Sequence, residues 1–102
     1  MHPESLFMTK SGAVYIMSND RETLYTGVTS NLPQRVHQHK NNLIKSFTAK
    51  YDLHKLVYYE IFDSIEMAIV REKQIKDMNR LEKLKIIRNF NPKFEDLYSD
   101  IL

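Results

Sequence analysis

The sequence predicts an α+β domain, in which a small three-stranded, mainly antiparallel sheet in the order β-β-α-β-α-α is flanked by helices. Three observations predict it. Two runs of β-favouring residues, "GAVYIMS" and "LYTGVT", are separated by the polar, turn-prone "NDRET", as in a hairpin. A third run, "KLVYYEIF", follows a helix and a long polar stretch. Helical segments with cap and proline signals follow the second and third runs. At 102 residues the chain suffices for one domain and is too short for two independently stable ones. One domain is therefore expected over residues 12–98, with an N-terminal arm at 1–11 and a short tail at 99–102.

The elements follow in order. "GAVYIMS" is apolar on both faces and suits a central strand. Gly27 interrupts the second strand, where a glycine permits a bulge or the close approach of another group. Asn31 is a helix cap and Pro33 belongs in a first turn, so a helix should run to about Asn41 with Leu32, Val36 and Leu43 inward. That spacing sets Arg35 and His39 side by side along the edge of the stripe. "KNNLIKSFTAKYDLH" has weak periodicity and reads as a long loop. In "SIEMAIVREKQIKDMN", Ser64 caps a helix and Glu66 sits favourably in its first turn. A last helix, "RLEKLKIIRNF", has Leu81, Leu84, Ile87 and Phe90 as inner-face candidates and ends before Pro92. Phe94, Leu97 and Tyr98 should draw part of the remainder back onto the domain.

The apolar fraction of 42% and charged fraction of 27% are those of an ordinary globular chain. Without cysteine there is no disulfide framework, thiolate nucleophile or thiolate zinc ligand, which suits a reducing compartment. No targeting segment or membrane-length apolar run is visible, so a cytoplasmic protein without membrane contact is expected. The net charge of +2 is uninformative, but its distribution is not. Between Arg35 and Lys55 five basic residues face the single acid Asp52, and from Arg71 to Arg88 basic residues outnumber acids. This pattern suits either a face turned toward phosphates or a solvated helix surface.

Candidate chemistry gathers at few positions. On a helical wheel Ile65, Ala68, Ile69, Ile75 and Asn79 share one arc, and Glu72 falls near its middle. An inward carboxylate must be ion-paired, hydrogen-bonded, bound to a cation or open to a cleft. A structural pair with Arg71, Lys76 or Arg35 competes with a functional role. Tyr15 and Tyr25 can project toward one side of the hairpin, with Gly27 leaving space there, although strand tyrosines commonly serve only as core. Two phenols, a guanidinium, an imidazole and a carboxylate match what phosphodiester hydrolysis requires: a proton acceptor, a metal and fixed positive charge. A phenol with an ordinary pKa of about 10 becomes a base only if Arg35, His39 or a metal stabilises its phenolate. One carboxylate with water-rich coordination suits one Mg²⁺ or Mn²⁺ better than zinc, and a His37–His39 zinc pair is the weaker alternative.

These residues resemble a GIY-YIG endonuclease domain of the small stand-alone, UPF0213-like kind, from about Gly12 to Tyr98. The signature tyrosines match Tyr15 in "AVYIM" and Tyr25 in "YTG", with the glycine at Gly27. The arginine and histidine of the next helix match Arg35 and His39 in "RVHQH", and the metal-binding glutamate matches Glu72 in "AIVREKQIK". Neither name triplet is spelled out, since the first is Ala13-Val14-Tyr15 and the second Tyr25-Thr26-Gly27. The resemblance implies DNA more than RNA as substrate and Tyr15 as the base that activates water. It further implies Glu72 as the ligand of one divalent cation, Arg35 and Tyr25 as phosphate stabilisers, and His39 as an aid to proton transfer. A late asparagine is expected near the site, with Asn91 preferred over Asn79 and Asn89. Lys40, Lys45, Thr48 and Lys50 are candidates for the substrate groove. The chain carries no DNA-targeting domain, so a protein partner for targeting and a monomeric or weakly dimeric state are expected. The competing reading is a nucleic-acid-binding module that keeps the nuclease scaffold and cleaves little.

Overall fold

A computed structural model of the chain describes residues 11–44 and 47–102. Residues 1–10 of the expected arm and the candidate Lys45 lie outside the described residues. Strands β1 (Gly12–Ser18), β2 (Leu24–Thr29) and β3 (Lys55–Phe62) form one antiparallel sheet in the order β2-β1-β3. β1 is the central strand and is buried along its whole length, which is why it is apolar on both faces.

A bulge between Ile16 and Met17 shifts the pairing of β1 with β3, from Ile16 opposite Tyr58 to Met17 opposite Leu56. The extra residue, Val57, changes the parity of β3. Leu56 thereby joins the face of Tyr15 and Met17, while the adjacent Val57 and Tyr58 both enter the opposite core.

Helix α1 (Leu32–Lys40) begins as expected, with the Asn31 side chain accepting from the Gln34 N–H and Pro33 in the first turn. The stretch read as a loop holds a single helical turn, α2 (Phe47–Lys50). Its four residues are too few for a period to show in the sequence. Helix α3 (Ile65–Lys76) is capped by Ser64. It ends before Asn79, because Asn79 caps α4 (Arg80–Phe90) in a reciprocal capping box with Glu82. Phe94 is buried and Leu97 and Tyr98 pack on the core as expected, and a 3₁₀ turn over Tyr98–Ile101 brings in Ile101 as well, from the stretch expected to be a tail.

Each face of the sheet has its own core. Ala13, Tyr15 and Met17 pack with Leu32 and Val36 of α1, Leu53 and Leu56. Val14, Ile16, Val57 and Tyr58 pack with Ile75 of α3, Ile87 of α4 and Phe94. Leu43 is 64% exposed beyond the end of α1, and Leu81 is 79% exposed because Leu84, Ile86 and Ile87 supply the inner face of α4. Ile69 likewise stands out of the arc expected to be inward, leaving Ala68 and Ile75 as the buried residues of α3. Among the described residues no helix is long and apolar enough to cross a membrane.

Ile75 is fully buried and joins α3 to the central strand's core. Ile75→Ala should therefore lower the unfolding free energy by about 2–5 kcal/mol, measured by urea denaturation. A loss below about 1 kcal/mol would mean that α3 is not held through this core.

Candidate active site

The sheet register builds the first half of the site. Tyr15 on β1 lies opposite Gly27 on β2, and its side chain crosses over that glycine. A Cβ at position 27 would come within 2.5 Å of the phenol oxygen and 2.6 Å of the ring carbon bearing it, so only glycine lets the phenol lie there. Tyr25, opposite Met17, projects to the same face, and its ring centroid is 6.4 Å from that of Tyr15.

Helix α1 adds the nitrogen groups. His39 is buried between the sheet and α2, with Nε2 at 2.8 Å from the Tyr15 hydroxyl and Nδ1 at 2.8 Å from Thr48 Oγ1. Arg35 lies near enough for its positive charge to favour the Tyr15 phenolate. One imidazole nitrogen carries the ring hydrogen and the other accepts, so the Tyr15 and Thr48 hydroxyls take opposite roles toward His39. The ring of Tyr25 closes the cluster, 5.7 Å from the imidazole.

Burial governs the protonation of this pair. It pushes the Tyr15 phenol up to about 12 against the opposing pull of Arg35. It pushes His39 down to about 4, and the positive charge of Arg35 adds to that. Both groups are neutral near pH 7. Of the groups that could stabilise a Tyr15 phenolate, Arg35 pulls that way and desolvation outweighs it, while His39 is itself held neutral by burial.

Glu72 comes from α3, on the opposite layer. Its side chain is 15% exposed and pairs with Lys76 at 3.2 Å. Of the three structural partners the sequence offered, Arg71 is bound instead to Glu60 at 2.8 Å, and Arg35 attends Tyr15. The Glu72 charge nonetheless reaches the cluster, since it is one of the influences that raise the Tyr15 pKa. A carboxylate held by one lysine that is itself half in water fits a hard, oxygen-preferring dication that keeps most of its waters. A zinc pair does not fit. Both His39 nitrogens are engaged, and His37 is exposed with its Nδ1 3.3 Å from Asn41 Nδ2. Among the described residues no group of three His, Cys, Asp or Glu side chains could hold a metal.

Comparison with known proteins bears directly on this arrangement. The family described as the GIY-YIG catalytic domain matches residues 11–85, more than half of the chain. The chain belongs to the GIY-YIG family. It is 38% identical over 88 residues to a UPF0213 protein of Clostridium perfringens, covering 86% of this chain and 95% of that one. It is 41% identical over 83 residues to a UPF0213 protein of Syntrophus aciditrophicus, covering 78% and 91%. The solution NMR structure of a UPF0213 protein from Bacillus halodurans shares the fold, with a TM-score of 0.55 at 24% identity over 84% of this chain and 92% of that one.

Within this GIY-YIG domain the fold brings together Tyr15, Tyr25, Gly27, Arg35, His39 and Thr48, and sets Glu72 within electrostatic reach. Other sequence candidates are engaged elsewhere. Lys40 bonds the His54 carbonyl at 2.9 Å, pairs with Asp96 and lies over the Tyr98 ring, so it ties α1 to the C-terminal segment. Asn91 is buried at the end of α4, where its amide bonds the Val57 carbonyl and both backbone groups of Glu95. Its partners build the fold and include no site residue. Asn79 is a helix cap, and Asn89 is exposed. Lys50 is exposed on α2, 5.4 Å from the centre of the Tyr51 ring.

The sequence reading missed Asn19. Its Oδ1 accepts from the N–H groups of Arg21 and Thr23, and its Nδ2 donates to the Tyr51 carbonyl at 2.8 Å. It thereby shapes the hairpin turn and anchors the segment after α2. An asparagine opening a polar turn was the available signal.

Two outcomes test this geometry. Gly27→Ala should displace the Tyr15 ring and cost about 1–3 kcal/mol in urea unfolding, whereas wild-type stability would mean the phenol does not cross position 27. The second concerns His39, whose folded pKa of about 4 lies below its ordinary 6.5. The unfolded chain therefore binds the proton first, and stability is fully present above pH 6.5 and falls as the pH drops toward 4. The loss should be on the order of 3 kcal/mol, and His39→Gln should flatten it in urea titrations across that window.

Proposed function

We propose that the chain is a metal-dependent endonuclease that hydrolyses phosphodiester bonds in DNA. The observation that carries this reading is the buried Tyr15–His39 hydrogen bond at 2.8 Å, with Arg35 beside it and the Glu72 carboxylate in reach. A neutral phenol bonded to a neutral imidazole can pass a proton without forming a free phenolate. As water attacks phosphorus, its proton moves to the Tyr15 oxygen while the phenol's own proton moves to His39 Nε2. With the ring hydrogen on Nδ1, bonded to Thr48 at 2.8 Å, Nε2 is free to receive it. The incoming phosphodiester adds negative charge next to His39, which favours the imidazolium. Arg35 and Tyr25 offer donors to the charge that develops on the phosphate oxygens, and the bond to the leaving oxygen breaks.

Glu72 would hold one Mg²⁺ or Mn²⁺, which when bound supplies Lewis-acid polarisation of the phosphate. A second reading is a nucleic-acid-binding module with little cleavage activity. It is favoured by the Glu72–Lys76 ion pair, a structural role that a carboxylate without a metal can take. A cytoplasmic location, a targeting partner and a monomeric or weakly dimeric state belong to the nuclease reading as expectations.

Purified wild-type protein should cut labelled DNA with Mg²⁺ or Mn²⁺, and a chelator should stop it. Glu72→Gln should lose metal-dependent cleavage, and Tyr15→Phe should lose about 10²- to 10⁴-fold in rate. Binding without cleavage by the wild type would move the assignment to the binding module.

A further inference from the structure

Helix α2 is built the wrong way round for a helix that only fills a loop. Its buried contacts are polar or lie at its ends: Thr48 is fully buried against His39, and Leu53, just beyond the turn, is fully buried in the core. The aromatic residues at its start and just past its end are part-exposed instead. Phe47 is 45% exposed and Tyr51 is 41% exposed. One helical turn apart, they share a side, with ring centroids 4.6 Å apart.

These rings continue a row that starts in the candidate active site. Phe47 stacks on Tyr25 at 6.4 Å with 27° between the ring planes, and Tyr25 in turn lies against His39 and Tyr15. Lys50 adds positive charge over the outer ring. The segment is also held rigidly. The Leu53 N–H bonds the Thr48 carbonyl at 2.8 Å, and Asn19 clamps the Tyr51 carbonyl. A fixed row of half-exposed rings with a cation alongside is a surface on which unpaired bases stack, whereas paired bases already stack on one another.

Resting on the nuclease reading above, we propose that the DNA taken by this site is unpaired next to the phosphate that is cut, and that Phe47 and Tyr51 stack its bases. The rings act by binding and positioning the strand. They select single-stranded over duplex substrate because only a free base can lie on them.

Binding measured in chelator, without cleavage, separates this from the nuclease reading. Fluorescein-labelled oligothymidylate and a duplex of the same length are titrated with wild type, Phe47→Ala and Tyr51→Ala, and anisotropy is read. Each alanine should weaken single-strand binding by about tenfold or more and leave duplex binding unchanged, while Tyr51→Phe keeps single-strand affinity. The chain has no tryptophan, so Phe47→Trp supplies a lone reporter whose emission oligothymidylate should quench and duplex should not. Four results would overturn the proposal: no single-strand binding by the wild type, equal losses for both ligands, no loss, or no quenching. A wild-type dimer in sedimentation that Phe47→Ala dissolves would assign the rings to a second copy of the chain instead. If the single-strand preference holds but no strand is cut with Mg²⁺ or Mn²⁺, the platform stands and the nuclease reading fails.

Discussion

The hydrogen bond between Tyr15 and His39 is the constraint around which the molecule is organised. Both groups are buried, and an unmade hydrogen bond there would cost about 1–3 kcal/mol for each polar atom left without a partner. Three segments distant in sequence must therefore meet. The central strand supplies the phenol, α1 the imidazole, and α2 the Thr48 hydroxyl bonded to the second ring nitrogen. Gly27 belongs to the same constraint, because the phenol reaches the imidazole only by crossing a backbone that lacks a side chain. Burial that makes this bond necessary also keeps both groups uncharged, so the pair is suited to exchanging a proton rather than holding a charge.

The carboxylate stands apart from that cluster by design of the two-layered fold. Tyr15 and Met17 face α1, whereas Val14 and Ile16 face α3 and α4, so residues adjacent in β1 serve different cores. Glu72 belongs to the second layer and influences the first through its charge. Lys76 neutralises it from the water side at 3.2 Å.

Much of the positive charge that looked available for nucleic acid is committed inside the domain. Lys40 holds Asp96, Lys55 holds Asp20 at 3.2 Å, Arg71 holds Glu60, and Arg88 holds Glu22 at 2.6 Å. Arg80 also donates to the Glu22 carbonyl, so α4 braces the hairpin turn. The asymmetry of charge along the sequence is thus partly the asymmetry of internal pairing.

The sequence by itself determined the elements whose signals are local. Alternation and turn residues marked the three strands, and the doubly apolar β1 marked the sheet's centre. Asn31 with Pro33 and Ser64 marked two helix starts. Tyr15, Tyr25, Gly27, Arg35, His39 and Glu72 stood out as candidates through their combined order and spacing and the inward position of Glu72, since strand tyrosines taken singly commonly serve only as core. Only the tertiary structure decided what depends on pairing across the chain. The Asn79 cap is local and its signal lay in Glu82 three residues on, whereas the bulge at Val57 and the engagement of Asn91 and Lys40 turn on neighbours far away in sequence. The same holds for α2, a single turn with no period of its own. It exists because Thr48 must reach His39 and Asn19 must reach Tyr51, and that leaves Phe47 and Tyr51 facing outward.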